Sequence, residues 1–133
     1  MRAVLIMAIA LALAVCQTPA QAAEDFTCPA EVENDQTAGG QPQSFKFRYV
    51  SFFDGDPKDL ADLAPEEGPD PAKLEQRWQF TRTKDRPIIM ICRYHGTTQT
   101  VQKQVPASIK ECRLEGLITD KGEIVGSPKL ECR

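Results

Sequence analysis

Cys92-Arg93-Tyr94-His95 places a thiol three residues from the chain's only histidine. An imidazole-activated cysteine is a nucleophile for acyl transfer, provided sulfur and ring nitrogen approach within about 3 Å. A second set with chemical capacity is Asp54-Gly55-Asp56 with Asp59, whose carboxylates would suit acid–base work if they shared a cleft. The local geometry implied by the sequence opposes both. Ile88–Tyr94 and Thr97–Val105 read as strands joined by a two-residue turn at His95-Gly96. Such a turn needs positive φ, which glycine supplies and histidine tolerates better than most residues. Side chains at 92 and 95 then leave opposite faces. Asp56 before Pro57 suits the cap of a short helix. Asp54-Gly55-Asp56 also lacks the third ligand, following glycine and closing glutamate of a calcium loop. No catalytic residue, metal-ligand set or cofactor motif is assigned.

The N-terminus decides which compartment the cysteines meet. Arg2 precedes an apolar run, Ala3 to Val15, and a polar stretch ends in Ala20-Gln21-Ala22. That is the pattern of a cleaved secretory leader over residues 1–22, leaving a single domain, 23–133. The apolar run of 13 residues is short against the roughly 20 a bilayer span needs. Cys16 follows Leu13-Ala14-Val15, with a β-branched valine where a lipoprotein signal wants a small residue, so it is expected to leave with the leader. Four cysteines remain: Cys28, Cys92, Cys112 and Cys132. An even set in an exported chain reads as a disulfide framework, and no Cys-x-x-Cys spacing suggests a redox pair or zinc knuckle. The expected location is periplasmic or secreted, without stable membrane insertion.

After the leader, 15 basic and 19 acidic residues give a net charge of −4. Glu24 to Asp70 carries −9, and Pro71 onward carries +5. Overall acidity argues against nucleic acid as partner. Arg77, Arg82, Lys84 and Arg86 cluster in sequence and form a candidate anion-binding surface. The alternative is that the two halves attract each other inside the fold.

Residues 31–44 read as a polar loop. In "SFKFRYVSFF", Phe45, Phe47, Tyr49 and Phe53 share one face of a half-buried strand. Asp56-Pro57 opens a helix of one or two turns, with Leu60 and Leu63 on one side and an end near Pro65. From Lys73 the chain reads as a β-meander. Trp78 and Phe80 are in phase, Ile88–Tyr94 is a central strand apolar on both faces, and Val101 and Val105 are in phase. Cys112, Leu114 and Ile118 then align, as do Ile124, Leu130 and Cys132. The expected fold is mainly β: one antiparallel meander sheet, or a small open barrel or sandwich, with one short helix and two disulfides.

A final hairpin turning at Lys121-Gly122-Glu123 sets Cys112 opposite Cys132, within the reach of a disulfide, and leaves Cys28 for Cys92. A two-residue turn at Lys121-Gly122 would instead set Glu131 opposite Cys112.

Cys28-Pro29, Phe53-Asp54-Gly55 with Pro57, Leu63 with Pro65, Trp78, Cys92-Arg93-Tyr94, Gly96-Thr97, Pro106 and Cys112 form a constellation. It resembles a family of small, uncharacterised exported proteins of Gram-negative bacteria, marked by Trp…Cys-x-Tyr-x-Gly-Thr…Pro…Cys. The resemblance implies localisation and fold but carries over no catalytic residue. The function expected is a non-enzymatic periplasmic binding or inhibitor protein whose partner is an envelope protein, for instance a cell-wall lytic enzyme. Alternatives are a structural or assembly component of the envelope, docking by strand addition, and a hydrolase using Asp54, Asp56 and Asp59.

Overall fold

The computed structural model describes residues 25–34, 41–83 and 85–133; the expected leader, Cys16, the middle of the expected 31–44 loop and Lys84 lie outside them. The strands are β1 (Glu31–Asn34), β2 (Gln43–Asp54), β3 (Glu66–Glu67), β4 (Lys73–Gln79), β5 (Ile88–Tyr94), β6 (Thr100–Gln104), β7 (Glu111–Ile118) and β8 (Ile124–Cys132). They form two antiparallel four-stranded sheets, β1-β2-β5-β6 and β3-β4-β7-β8, curled as a half-barrel about one core. The mainly-β, doubly stapled fold is thus the expected one, in its two-sheet form. A single meander would pair β4 with β5. Instead β4 pairs with β7 and β5 with β2, because residues 80–87 are long enough to cross between sheets.

The phase of β2 reverses midway. Pairing with β5 jumps from Phe47↔Tyr94 to Tyr49↔Arg93, so Arg48 is an inserted bulge residue. Phe45 and Phe47 face the core before it; Val50 and Phe52 face the core after it. Tyr49 and Phe53 therefore lie on the other face, not with Phe45 and Phe47 as the alternation suggested. One extra residue inverts every later side chain.

The helix expected after Asp56 is a single 3-10 turn, Pro57–Asp59. Its cap is as expected: Asp56 accepts from the Lys58 backbone N–H at 3.0 Å. Leu60 then enters the left-handed region at φ 57° and ends the turn. Leu63 packs against the core while Leu60 is 82% exposed, so the two share no helical face. The cause is the return of the chain onto β2. Asp54 N–H donates to Ala61 O at 3.0 Å, Leu63 N–H donates to Phe52 O at 2.8 Å, and Phe53 bridges Asp62. A longer helix would overshoot those partners.

The β5–β6 connection also differs. Gly96 has φ 75°, but His95 stays at negative φ, and Arg93↔Thr100 and Cys92↔Val101 set a longer loop than two residues. His95 N–H donates to Lys46 O at 2.9 Å, which extends pairing with β2 and delays the turn toward β6.

Both sheets fill the core. Phe52 stacks against Trp78 and Phe80, with ring centroids 5.0 Å apart in each pair. Trp78 Nε1 donates to Leu63 O at 2.8 Å and Tyr94 Oη donates to Pro29 O at 3.0 Å, satisfying the polar atoms these aromatics carry inside. Cys28–Cys92 pins the N-terminal segment to β5, and Cys112–Cys132 joins β7 to β8. Cys112 lies opposite Cys132 and Leu114 opposite Leu130, as anticipated. The register arises by another route. Ile118↔Ile124 centres the turn on Lys121, and two surplus β8 residues between Leu117↔Val125 and Glu115↔Lys129 restore the cysteine pairing.

Candidate interaction surface

The residues with chemical capacity are committed to structure. Cys92 is bonded to Cys28, and His95 Nε2 donates to Gly126 O at 2.7 Å, so no thiolate–imidazole pair forms. Asp56 caps its turn. Arg86 Nη2 donates to Asp54 O at 2.5 Å, and its guanidinium lies 3.4 Å from the Asp54 carboxylate and 3.9 Å from that of Asp59. The guanidinium lies over Gly55, whose φ of 89° and missing Cβ permit the approach.

The structure does not bring Arg77, Arg82 and Arg86 into one patch. Arg77, on β4, bonds Glu66 across β3. Arg82 donates to three backbone carbonyls, Val105 at 3.0 Å, Pro106 at 2.6 Å and Ile109 at 2.7 Å, and so clamps the 105–109 loop. Arg86 braces the 54–60 loop. Alternation on a strand followed by an irregular crossover scatters residues adjacent in sequence. The pairs Arg77–Glu66, Arg86–Asp54, Arg86–Asp59 and Lys73–Asp70 also join the acidic part of the chain to the basic part, so intramolecular attraction uses these charges.

The outer face of β3-β4-β7-β8 is an ionic lattice. Glu75 opposes Glu115 and Arg77 opposes Arg113, unfavourable like-charge pairs that diagonal partners offset. Glu111 accepts from Arg113 at 3.2 Å and Arg133 at 2.8 Å, and Lys129 lies 2.6 Å from Glu131. Partial desolvation acts to raise the Glu111 carboxyl, but Arg133, with Arg113 and Arg77, holds it below the ordinary glutamate range. The hydrogen bond and charge of Lys129 lower Glu131 likewise. This face largely neutralises itself.

The outer face of β1-β2-β5-β6 is different. Register aligns three rows across it: Tyr49, Arg93 and Thr100; Ser51, Ile91 and Gln102; Phe53, Ile89 and Gln104. Ile88, Met90, Cys92 and Tyr94 supply the core from β5, while Ile89 and Ile91 stay partly exposed on the second face. At one end stand Lys46, Arg48 and Arg93. Arg93 donates to the Ser51 hydroxyl at 2.6 Å, and among the described residues none of the three has an ion-pair partner. At the other end the 54–62 loop carries Asp54, Asp56, Asp59 and Asp62. Burial raises the Tyr49 hydroxyl pKa, and Asp62 and Glu67 push it the same way. Sequence reasoning missed this surface because its cations come from two distant strands. The signal available was β5, apolar on both faces; beside it Ser51 and Phe53 of β2 are buried, so the accessible apolar part of this face is Ile89 and Ile91.

The molecule is thus a small, doubly stapled β-protein with one self-neutralised face and a second on which Ile89 and Ile91 lie partly exposed among polar and charged side chains. The model of the type VI secretion system Tli immunity protein family matches residues 41–133, and the chain belongs to that family. No curated protein and no solved structure matches it. An immunity protein is a small inhibitor whose partner is an effector protein. Among the described residues, no helix is long and apolar enough to cross a membrane.

Proposed function

We propose that this protein neutralises a type VI effector by stoichiometric binding in the periplasm, without catalysis of its own. A leader over residues 1–22 delivers the mature domain, 23–133, to that compartment. Family membership supports the inhibitor role, and two disulfides favour an oxidising location. The effector is one that acts in the envelope, a cell-wall lytic enzyme being one class that would meet the inhibitor there. The docking face is the outer side of β1-β2-β5-β6. The observation that carries this is the partly exposed Ile89 and Ile91 in line with Arg93 on β5, with Lys46 and Arg48 toward the same end of β2; Lys46 lies opposite Glu31 of β1, and among the described residues Arg48 and Arg93 have no carboxylate partner. Apolar contact with Tyr and Arg at its margin is the composition of interface centres, and Arg48 and Arg93, in excess over the Glu31 opposite Lys46, fit an acidic margin on the effector.

The test is a competition between attacker cells with an active type VI system and sibling recipients lacking this gene. The full chain with its leader restores recipient survival, a leaderless chain does not, and Arg93→Glu protects poorly at equal abundance. Equal protection by the leaderless chain would refute the compartment. Recipients that survive without the gene would refute the immunity role.

A further inference from the structure

We propose that Leu60 is an anchor side chain, inserted into an apolar socket on the effector, with the carboxylates of the 54–62 loop facing basic groups around that socket. The inference rests on the immunity reading and adds the part of the partner it recognises. Leu60 is the only non-glycine residue at positive φ among the described residues, and it is 82% exposed. A bulky side chain in the left-handed region is an outlier that glycine or asparagine would relieve. Burial does not compensate Leu60 for the conformation, because its side chain points away from the core. The other exposed apolar residues, Leu117 and Val125, are less exposed, lie opposite one another in the β7–β8 ladder, and sit at ordinary negative φ.

The strained residue is nonetheless held firmly. Leu60 N–H donates to Pro57 O at 3.1 Å, Asp54 N–H to Ala61 O at 3.0 Å, and Gly55 N–H to Pro87 O at 2.8 Å, while Arg86 ties Asp54 to Asp59. A pre-ordered apolar knob loses little freedom on binding, which is what an anchor requires. Around it Asp54, Asp56, Asp59 and Asp62 outnumber Lys58 and Arg86, so the fitting socket is ringed by Lys or Arg. The loop follows directly from Phe53, which pairs with Ile89, so the knob continues the docking face at the end opposite Lys46 and Arg48. Opposite charge at the two ends fixes the orientation of the partner.

Leu60→Asn and Leu60→Gly, each in the full chain with its leader, test the assignment in the same competition, with thermal unfolding of the purified proteins alongside. The expected result is wild-type protection, loss of protection by both variants, and a Tm equal to wild type or raised by about 4 °C as backbone strain is released. Equal protection by variants and wild type would overturn the anchor and leave the immunity reading standing. A fall in Tm accompanying lost protection would make Leu60 a structural residue and overturn it as well. If wild type itself fails to protect, the immunity reading falls and the anchor with it.

Discussion

Replacing Cys28 and Cys92 by alanine should destabilise the fold more than replacing Cys112 and Cys132, and the structure sets the size of both effects. The first bridge spans 64 residues and the second 20. The entropy removed from the unfolded chain grows with the logarithm of the span, giving about 4 and about 3 kcal/mol respectively. The native-state consequences act in the same direction. Without its bridge, the 112–132 region keeps an antiparallel ladder that fixes register by backbone hydrogen bonds alone. Without its bridge, the segment before β1 keeps single contacts rather than a ladder: Thr27 Oγ1 to Leu130 O at 3.3 Å, Lys103 Nζ to Thr27 O at 3.0 Å, Tyr94 Oη to Pro29 O, Phe47 N–H to Ala30 O at 2.8 Å, and Phe26 against the core. Cys92 and Cys112 are both fully buried, so the void left by a lost sulfur is common to the two variants and leaves their order to the span and the N-terminal contacts. A small domain has about 5–15 kcal/mol of net stability, so the first double variant approaches the margin. Urea unfolding followed by Trp78 fluorescence is the assay. The midpoint should fall by about 2 M for Cys28→Ala/Cys92→Ala, with a steeper slope because the freed chain exposes more surface on unfolding. A smaller loss for this pair than for Cys112→Ala/Cys132→Ala would refute the reasoning.

Three further outcomes are expected. Gly116→Ala should cost about 1–3 kcal/mol in urea unfolding, because an added Cβ would lie 2.9 Å from Pro128 Cβ, on a ring that cannot turn aside. Trp78→Phe should cost about 2–3 kcal/mol, since it thins the contact with Phe52 and leaves Leu63 O without its donor. Glu131, lowered by Lys129, and Glu111, where Arg133 outweighs desolvation, both have folded-state pKa values below their unfolded ones. Their stabilisation is complete above the unfolded value near 4.5 and disappears as pH falls through the folded values, so urea midpoints measured from pH 7 downward should hold and then drop below about pH 4.

The parts of this fold legible in the sequence were those governed by period and composition. A continuous apolar run gave β5, two-fold alternation gave β7 and the cysteine phase of β8, and the even cysteine set left by the expected leader gave the two bridges. The errors arose where a single residue changed the phase or a distant partner captured a local segment. Arg48 carries no mark that it will bulge, yet it reverses Tyr49 and Phe53. Leu60 and Leu63 have helical spacing, but β2 captures Ala61 and Leu63 through backbone hydrogen bonds and leaves room for one turn. His95 satisfies the local rule for a tight hairpin and is taken instead by Lys46. The interaction surface was the least legible part. Arg77, Arg82 and Arg86 are near in sequence but bind separate partners, whereas Lys46 and Arg48 of β2 and Arg93 of β5 are distant in sequence and lie toward the same end of one sheet.

The most direct test of the central claim is calorimetric titration of this protein into the purified effector of the attacking strain, repeated with charge reversals on each sheet face. The account predicts saturation at one inhibitor per effector, binding weakened at least about tenfold by Arg93→Glu, the equivalent of about 1.4 kcal/mol, and little change from Glu75→Lys on the self-neutralised face. Unaltered affinity in Arg93→Glu together with loss in Glu75→Lys would contradict it.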